Sequence, residues 1–243
     1  MTRVFRPCLE VLPSAQRCLW PRLQPSLKLG LVLYGGTAIA LRLGHRASAD
    51  FDFFTDKPLD KEALRAALPF VGGAAVLQDQ ADTITVVVAE SEARSEIVKL
   101  SFFGGIGFGR IGEPEATDDG VVRVASLVDL MATKAKVILQ RVEARDYQDI
   151  AAMIRAGVSL SIGLAAARAL YGPAFQPSES LKAMVYFEGG DLNTLSAEDK
   201  ETLIDAASRV RDLPKVQIAA RNLGLSGDGC LVRPVLSAPQ RQD

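Results

Sequence analysis

The sequence is poor in the residues that build disulfide frameworks and zinc sites. It has three cysteines, Cys8, Cys18 and Cys230, at uneven spacings and without a Cys-x-x-Cys motif, and it has a single histidine. Neither a disulfide-stapled secreted domain nor a Cys/His zinc site is supported by this composition. A reducing, cytoplasmic location is therefore predicted.

An excess of one charge and long apolar runs are also missing. With 28 basic and 29 acidic residues, no overall field attracts the chain to nucleic acid, so any RNA contact needs a local basic patch. No stretch reaches the roughly 18 apolar residues of a membrane span, and no signal peptide is recognisable, so no membrane partner is expected. At 243 residues and 48% hydrophobic, the chain can still bury a sizeable core in one large domain or two small ones.

Residues 31–55 concentrate the features that carry chemistry. An apolar run ends at Gly35-Gly36, which predicts a buried strand followed by a tight turn without side chains. Thr37 can cap the short helix that follows, and Gly44 ends it. The backbone N–H groups of such a turn can hold a phosphate group.

Two carboxylates follow on the next predicted strand, residues 49–54. Period-two alternation places Asp50 and Asp52 on one face and aromatic side chains on the other. Like charges this close repel unless a cation or water lies between them, and Mg²⁺ suits one or two carboxylates completed by water and phosphate oxygens. The alternative is a solvated face of an edge strand, which the apolar flanks disfavour. A magnesium site at Asp50 and Asp52 is therefore predicted.

The segment GGTAIALRLGHRASADFDFF, a Gly-Gly turn, a short helix and Ser-x-Asp-x-Asp, resembles the first motif of the polymerase-β-type nucleotidyltransferases. In detail it is similar to the AbiEii/AbiGii toxin branch, which includes nucleotidyltransferase toxins of toxin–antitoxin and phage-abortive systems. The resemblance implies Mg²⁺-dependent transfer of a nucleotide from a nucleoside triphosphate to an acceptor hydroxyl of RNA, such as a tRNA end, or of protein. It also implies a cognate antitoxin as partner, and nucleotide binding by Gly35, Gly36, Thr37 and Ser48.

A second segment, KAKVILQRVEARDYQDI, resembles later motifs of the same family. Residue by residue, the family lysine is Lys134, the arginine seven residues on is Arg141, and an Arg-Asp-x-x-Asp group runs from Arg145 to Asp149. The resemblance implies that Lys134 and Asp149 are catalytic and that Arg145 binds the nucleotide, with Asp149 either a general base or the residue that orients Lys134. At steps of seven and four residues, Lys134, Arg141 and Arg145 also predict one basic stripe along a helix, for which the alternative is a solvated helix face. Lys136, which is off the pattern, is interpreted as surface.

The spacing of this segment predicts a break in the helix. Fifteen residues of one straight helix would separate Lys134 from Asp149 by about 22 Å, too far to serve one triphosphate. We expect the helix to break between Gln140 and Arg145 and a second helix to follow over residues 145–156.

The remaining periodicities predict an α+β fold, with a mixed β-sheet nucleotidyltransferase core flanked by helices and a small C-terminal helical domain. The predicted domains are residues 1–124 for the core, 125–223 for the helical domain that completes the site, and 224–243 for an irregular tail. Residues 107–112 formally spell a dinucleotide-binding fingerprint, but Glu113-Pro114 follows instead of a helix. A mobile glycine-rich connection over residues 104–112 is predicted instead.

One position departs from the pattern that the resemblance implies. Nucleotidyltransferase folds often carry a third carboxylate on a neighbouring strand, and the corresponding residue here is Ser101. Asp149 or water could take its place, or the site could bind a nucleotide without efficient turnover. The alternatives to an enzyme are thus a degenerate nucleotide- or RNA-binding module, and an interaction protein whose acidic pair only solvates a strand edge.

Overall fold

The computed structural model describes residues 3–89 and 97–225. Its strands are β1 (Val4–Phe5), β2 (Val32–Tyr34), β3 (Asp50–Phe54), β4 (Ala75–Gln80), β5 (Thr83–Ala89), β6 (Ile97–Phe103), β7 (Glu115–Thr117) and β8 (Arg123–Val124). Its α-helices are α1 (Ser14–Leu19), α2 (Gly35–Leu43), α3 (Lys61–Ala67), α4 (Pro69–Gly72), α5 (Leu127–Val137), α6 (Ala144–Arg155), α7 (Leu160–Tyr171), α8 (Pro177–Val185) and α9 (Ala197–Arg209).

The described strands form one mixed sheet in the order β1-β7-β8-β2-β3-β6-β5-β4. The predicted α+β class is confirmed, with helices α5 to α9 following the last strand. The domain boundary at residue 124 stays a prediction, and residues 226–243 of the predicted tail lie outside the described part of the chain. None of the helices in the described ranges has the length and apolarity that a membrane crossing requires.

Strand β3 lies in the middle of the sheet, antiparallel to β2 and parallel to β6. Its alternation is the predicted one: Phe51 and Phe53 are fully buried in the core, while the two aspartates face the other side. Phe53 stacks on Phe102 of β6 with ring centroids 5.5 Å apart. Each buried aromatic ring contributes about 1.5–3 kcal/mol of hydrophobic stabilisation, and these two rings hold β3 in its position in the sheet.

Helix α2 begins directly at Gly35, without a loop after β2. The prediction that Thr37 caps this helix is wrong, because Tyr34 occupies the N-cap position and Thr37 lies in the first turn, where its hydroxyl donates to the carbonyl of Asp50. Gly35 has a φ of 74°, and a Cβ there would lie 2.5 Å from Oδ2 of Asp52. The glycine is therefore needed both for its backbone conformation and for the close passage of the chain beside the acidic pair.

The predicted break after the Lys134 helix is present. Helix α5 ends at Val137, a few residues earlier than expected, and α6 begins at Ala144 after a turn over residues 138–143. The side chain of Glu143 makes no cap, and instead Oδ1 of Asp191 accepts the backbone N–H of Ala144 at 2.6 Å. A helix terminus needs such a partner, so a residue distant in sequence stabilises the start of α6.

The glycine-rich connection over residues 104–112 contains no helix, in agreement with the rejection of a dinucleotide site. It is not the loose segment that the sequence suggested. The backbone N–H groups of Gly104, Gly105 and Ile106 donate to carbonyls of Asp82, Lys57 and Thr55, respectively. Glycine content alone therefore overstated the freedom of this segment.

Helices α5 and α7 approach each other closely at Gly163, and this contact gives a first prediction. A Cβ at Gly163 would lie 3.1 Å from Cβ of the buried Met131 and closer still to its Cγ. Gly163→Ala should lower the free energy of unfolding by about 1–3 kcal/mol, because overpacking outweighs the gain of up to about 1 kcal/mol in helix propensity. Urea unfolding would measure this change.

The matched control is Gly72→Ala at the end of α4, where a Cβ meets no atom within 4 Å. This control should change stability by about 0.5 kcal/mol or less. Equal effects of the two substitutions would contradict the assigned α5–α7 packing.

Candidate active site

The acidic pair lies on β3 beside two residues of β6. In the parallel register Asp50 is opposite Lys99 and Asp52 is opposite Ser101. Nζ of Lys99 is 3.2 Å from Oδ2 of Asp50, and the side chain of Asp50 is 31% exposed. Ser101 is buried, and its hydroxyl accepts from Thr85 of β5 at 3.3 Å. The position expected for a third carboxylate therefore holds a neutral hydroxyl group.

The two carboxylates interact unfavourably with each other. Burial raises the pKa of Asp52 above its usual value, and the negative charge of Asp50 is the second largest cause of this increase. A cation placed between the two groups would relieve this repulsion. The pair thus has the electrostatics of a cation site.

A wall of charged residues from α5 and α6 faces the pair. Nζ of Lys134 lies 2.6 Å from Oδ1 of Asp146 and 2.6 Å from Oδ2 of Asp149. Both carboxylates are fully buried, and the side chain of Lys134 is nearly so. Because the lysine is held by two fixed partners, its ammonium group has a defined position at the edge of the cavity.

Sequence reasoning missed two residues that hold Asp149. Nε and Nη2 of Arg46 donate to its two carboxylate oxygens at 2.7 and 2.9 Å, and Nε2 of His45 lies 2.7 Å from Oδ1. Burial alone would raise the pKa of Asp149, but the hydrogen bond to His45, the charge of Lys134 and the bonds from Arg46 hold it well below its usual range. The only signal was the His45-Arg46 pair between the end of α2 and Ser48, which includes the single histidine.

Arg141 and Arg145, the other cations of the second motif, pair with different carboxylates. Arg141 donates to both oxygens of Asp146 at 2.8 and 3.1 Å, while the half-exposed Arg145 pairs with Glu143 at 2.6 Å. Because the helix breaks after Val137, Lys134, Arg141 and Arg145 do not form one helical stripe. Lys136 is not plain surface either, since its Nζ lies 4.1 Å above the ring of Tyr171, away from the cavity.

These groups meet around one cavity of about 600 Å³, a size typical of small-ligand sites. Of the residues that the sequence placed in the site, six line it: Gly36, Ser48, Asp50, Asp52, Lys134 and Arg145. Gly35, Thr37 and Asp149 do not. Thr37 is buried, with its hydroxyl 2.7 Å from that of Ser48, and Asp149 lies behind Lys134.

The donor set suits magnesium rather than a metal that needs many protein ligands. Within the described residues, no group of three His, Cys, Asp or Glu side chains is positioned to hold a metal ion. Asp149 therefore does not replace the third carboxylate, because its oxygens are taken up by Arg46, His45 and Lys134. Two carboxylates fit Mg²⁺, which retains water and binds substrate phosphates at its remaining positions.

A mixed sheet with an acidic pair on its central strand, a glycine turn beside it and a cationic wall opposite is the arrangement of a nucleotidyltransferase core. Residues 18–222 match the family model described as nucleotidyl transferase AbiEii toxin of a type IV toxin–antitoxin system. The chain belongs to this family. The resemblance read from the two motifs is thereby confirmed.

Individual relatives are more distant. An uncharacterised protein of Aquifex aeolicus (strain VF5) is 31% identical over 125 residues, which are 51% of this chain and 57% of the relative. The match thus spans little more than half of the length of that relative. Among solved structures, the nucleotidyltransferase toxin MenT4 from Mycobacterium tuberculosis H37Rv is similar at 15% identity with a TM-score of 0.45, covering 74% of this chain and 80% of MenT4.

The network around Asp149 gives a prediction for stability. Asp149→Asn should lower the free energy of unfolding by about 3 kcal/mol at neutral pH, because Arg46 and Lys134 lose a buried counter-ion. The folded-state pKa of Asp149 is lowered, so its charge contributes fully to stability above about pH 4, and this contribution decreases as the pH falls below that value toward the lowered folded-state pKa. Urea unfolding at about pH 7 and about pH 3 should therefore show a smaller difference between wild type and variant at the lower pH.

The control is Asp205→Asn, which removes an exposed carboxylate paired with Arg209 one helical turn away. It should cost less than about 1 kcal/mol. A penalty for Asp149→Asn that stays the same at both pH values would show that shape, and not charge, accounts for it.

Proposed function

We propose that this chain is a Mg²⁺-dependent nucleotidyltransferase that moves a nucleotide from a nucleoside triphosphate to an acceptor hydroxyl, and that it is the toxin of a toxin–antitoxin pair. The observation that carries the proposal is the shared cavity. Asp50 and Asp52 line it together with the cations Lys134, Arg141 and Arg145. Phosphoryl chemistry needs both, because the polyphosphate chain must be neutralised while the reacting phosphate is positioned at the metal.

The cationic wall would bind the triphosphate. Lys134 acts as a point charge. Arg145 is half exposed and, within the described part of the chain, is paired with Glu143, so it can turn its guanidinium toward phosphate oxygens. Gly36 and Ser48 line the same cavity, and the backbone N–H of Gly36 and the hydroxyl of Ser48 can donate to further phosphate oxygens.

Asp50 and Asp52 would hold the metal. When bound, Mg²⁺ supplies positive charge at the α-phosphate and lowers the pKa of the acceptor hydroxyl. Asp52 is partly buried and is flanked by β2 and β6, which keeps its carboxylate in place and preorganises the site for the reacting phosphate.

Asp149 is proposed to position Lys134 and not to act as a general base. A general base works best with a pKa near the working pH, whereas the pKa of Asp149 is held well below its usual range. Its carboxylate also lies outside the residues that line the cavity. Of the two roles open from the sequence, the geometry supports the orienting one.

The partners follow from the family. Membership in a toxin family of type IV systems supports a cognate antitoxin, and the cationic cavity supports a nucleoside triphosphate as substrate. An RNA or protein acceptor and a cytoplasmic location remain predictions from the sequence.

A second candidate function is a nucleotide- or RNA-binding module without efficient catalysis. Ser101 opposite Asp52, in place of a third carboxylate, is the observation that favours it. Incubation with Mg²⁺ and each labelled nucleoside triphosphate separates the two, because a binding module yields no covalent product on RNA or protein.

Asp52→Asn should lower Mg²⁺-dependent transfer of labelled nucleotide by about 100-fold or more, because one metal-holding carboxylate is lost. The melting temperature should not fall, since the substitution removes repulsion within the acidic pair. As a control, Asp79→Asn on β4 removes a half-exposed carboxylate that pairs with Lys61, and it should retain activity. Normal turnover of Asp52→Asn would refute the metal assignment.

Two lysines of α5 provide a matched comparison. Lys134→Ala should reduce transfer by about 100-fold, because it removes the positioned cation of the cavity. Lys136→Ala, which loses only its contact with the ring of Tyr171, should stay within about threefold of wild type. Both variants would be checked by circular dichroism, and equal losses in two folded proteins would show that the cavity does not use Lys134.

A further inference from the structure

We propose that Lys99 takes the place of a second metal ion in this site, so that the acidic pair holds one divalent cation and not two. The inference rests on the proposed function and deepens it. Many phosphoryl-transfer sites use two metal ions about 3.5–4 Å apart, held by carboxylates that surround both. Here β6 places a lysine, Lys99, and a serine, Ser101, beside the acidic pair instead of further carboxylates.

The first observation is the position of Lys99. It lies directly opposite Asp50 in the parallel β3–β6 register and lines the cavity. Its Nζ is 3.2 Å from Oδ2 of Asp50, at ion-pair distance. The strand register therefore places a positive charge at the carboxylate of Asp50, where a second metal ion would need a ligand.

The second observation is the partner of that charge. Arg46 and Lys134 are paired with carboxylates of α6, and Arg141 and Arg145 with Asp146 or Glu143. Among the described residues that line the cavity, Lys99 is the cation whose recorded ion pair is with the acidic pair itself. The charge of Lys99 is thus available to Asp50 and to any phosphate that binds there, because it is not paired with the carboxylates that hold the other cations of the cavity.

The third observation is the neutral residue at the next inward-facing position of β6. Ser101 lies opposite Asp52; its hydroxyl accepts from Thr85 and is hydrogen-bonded to the carboxylate of Asp52. A hydroxyl brings no negative charge to offset a second divalent ion. On the β6 side of the acidic pair, the cavity-lining side chains therefore sum to one positive charge, and a second divalent ion would meet repulsion instead of a ligand.

Together these positions account for an acidic pair without a third carboxylate. Asp50 and Asp52 would hold one divalent ion, and the Lys99 ammonium would offset the remaining negative charge of the carboxylates and phosphates. Because the side chain of Lys99 is 41% exposed, it can follow the phosphate when the substrate enters.

The test uses Mn²⁺ with inorganic tripolyphosphate, which makes the result independent of the base that the protein prefers. Electron paramagnetic resonance separates one bound Mn²⁺ from two neighbouring ions, because a close pair gives a spin-coupled spectrum. Wild type should show one uncoupled ion per chain. Lys99→Met combined with Ser101→Asp should show a second, coupled ion.

A second measurement does not depend on the double variant folding. Without tripolyphosphate, Lys99→Met should bind Mn²⁺ about tenfold or more tightly than wild type, measured as the Mn²⁺ concentration that raises the melting temperature. Lys61→Met is the matched control, since it removes a lysine that pairs with Asp79 outside the cavity, and it should change the affinity by about twofold or less.

The outcomes separate this inference from the proposed function. Two coupled ions in wild type, or equal Mn²⁺ affinities of Lys99→Met and wild type, would overturn the role of Lys99 and leave the metal assignment intact. Absence of Mn²⁺ binding at Asp50 and Asp52, judged against Asp52→Asn, would overturn both.

Discussion

The buried carboxylate of Asp149 joins three parts of the chain at one point. Asp149 belongs to α6; it accepts hydrogen bonds from Arg46 and His45 in the loop after α2 and forms an ion pair with Lys134 of α5. An ionised group without exposure would be strongly unfavourable unless each of its oxygens were paired. The pairing of this one group therefore ties α5 and α6 to the loop after α2, beside the strand that carries the acidic pair.

The buried carboxylates with a structural role are distinct from those that face the cavity. Asp146 and Asp149 hold cations in place behind the cavity, and Asp50 and Asp52 face into it. The first pair is neutralised by its partners, whereas burial and mutual repulsion raise the pKa of Asp52 in the second. Additional positive charge is therefore favourable at the acidic pair, where the metal and the polyphosphate are proposed to bind.

Close backbone approach completes the cavity. Gly35 passes beside Asp52, and a Cβ on Gly36 would collide with the guanidinium of Arg46. The two glycines therefore serve different neighbours, one on the metal side and one on the side of the buried network. This explains in physical terms why α2 begins with two residues that lack side chains, beyond any contact that their N–H groups make with phosphate.

Local sequence was sufficient for much of this molecule. Period-two alternation placed Asp50 and Asp52 on one face of β3 with Phe51 and Phe53 beneath it, and the spacing of Lys134 and Asp149 required the helix break that the structure has. These inferences succeeded because they depend on the repeat of a strand and the rise of a helix, which are properties of short segments. The two motifs likewise identified the family, since their residues lie close together in the chain.

Tertiary structure alone decided which charges are partners. No spacing in the sequence relates Arg46 to Asp149, 103 residues away, or Lys99 to Asp50, 49 residues away. Thr37 was read as a helix cap from its neighbours, yet its hydroxyl bonds across to β3, and the connection over residues 104–112 is held by strands and loops that its glycines could not reveal. The sequence by itself thus determined the elements and the chemistry they carry, whereas the pairing of buried charges was decided by strand register and helix packing, because those interactions join segments distant in the chain.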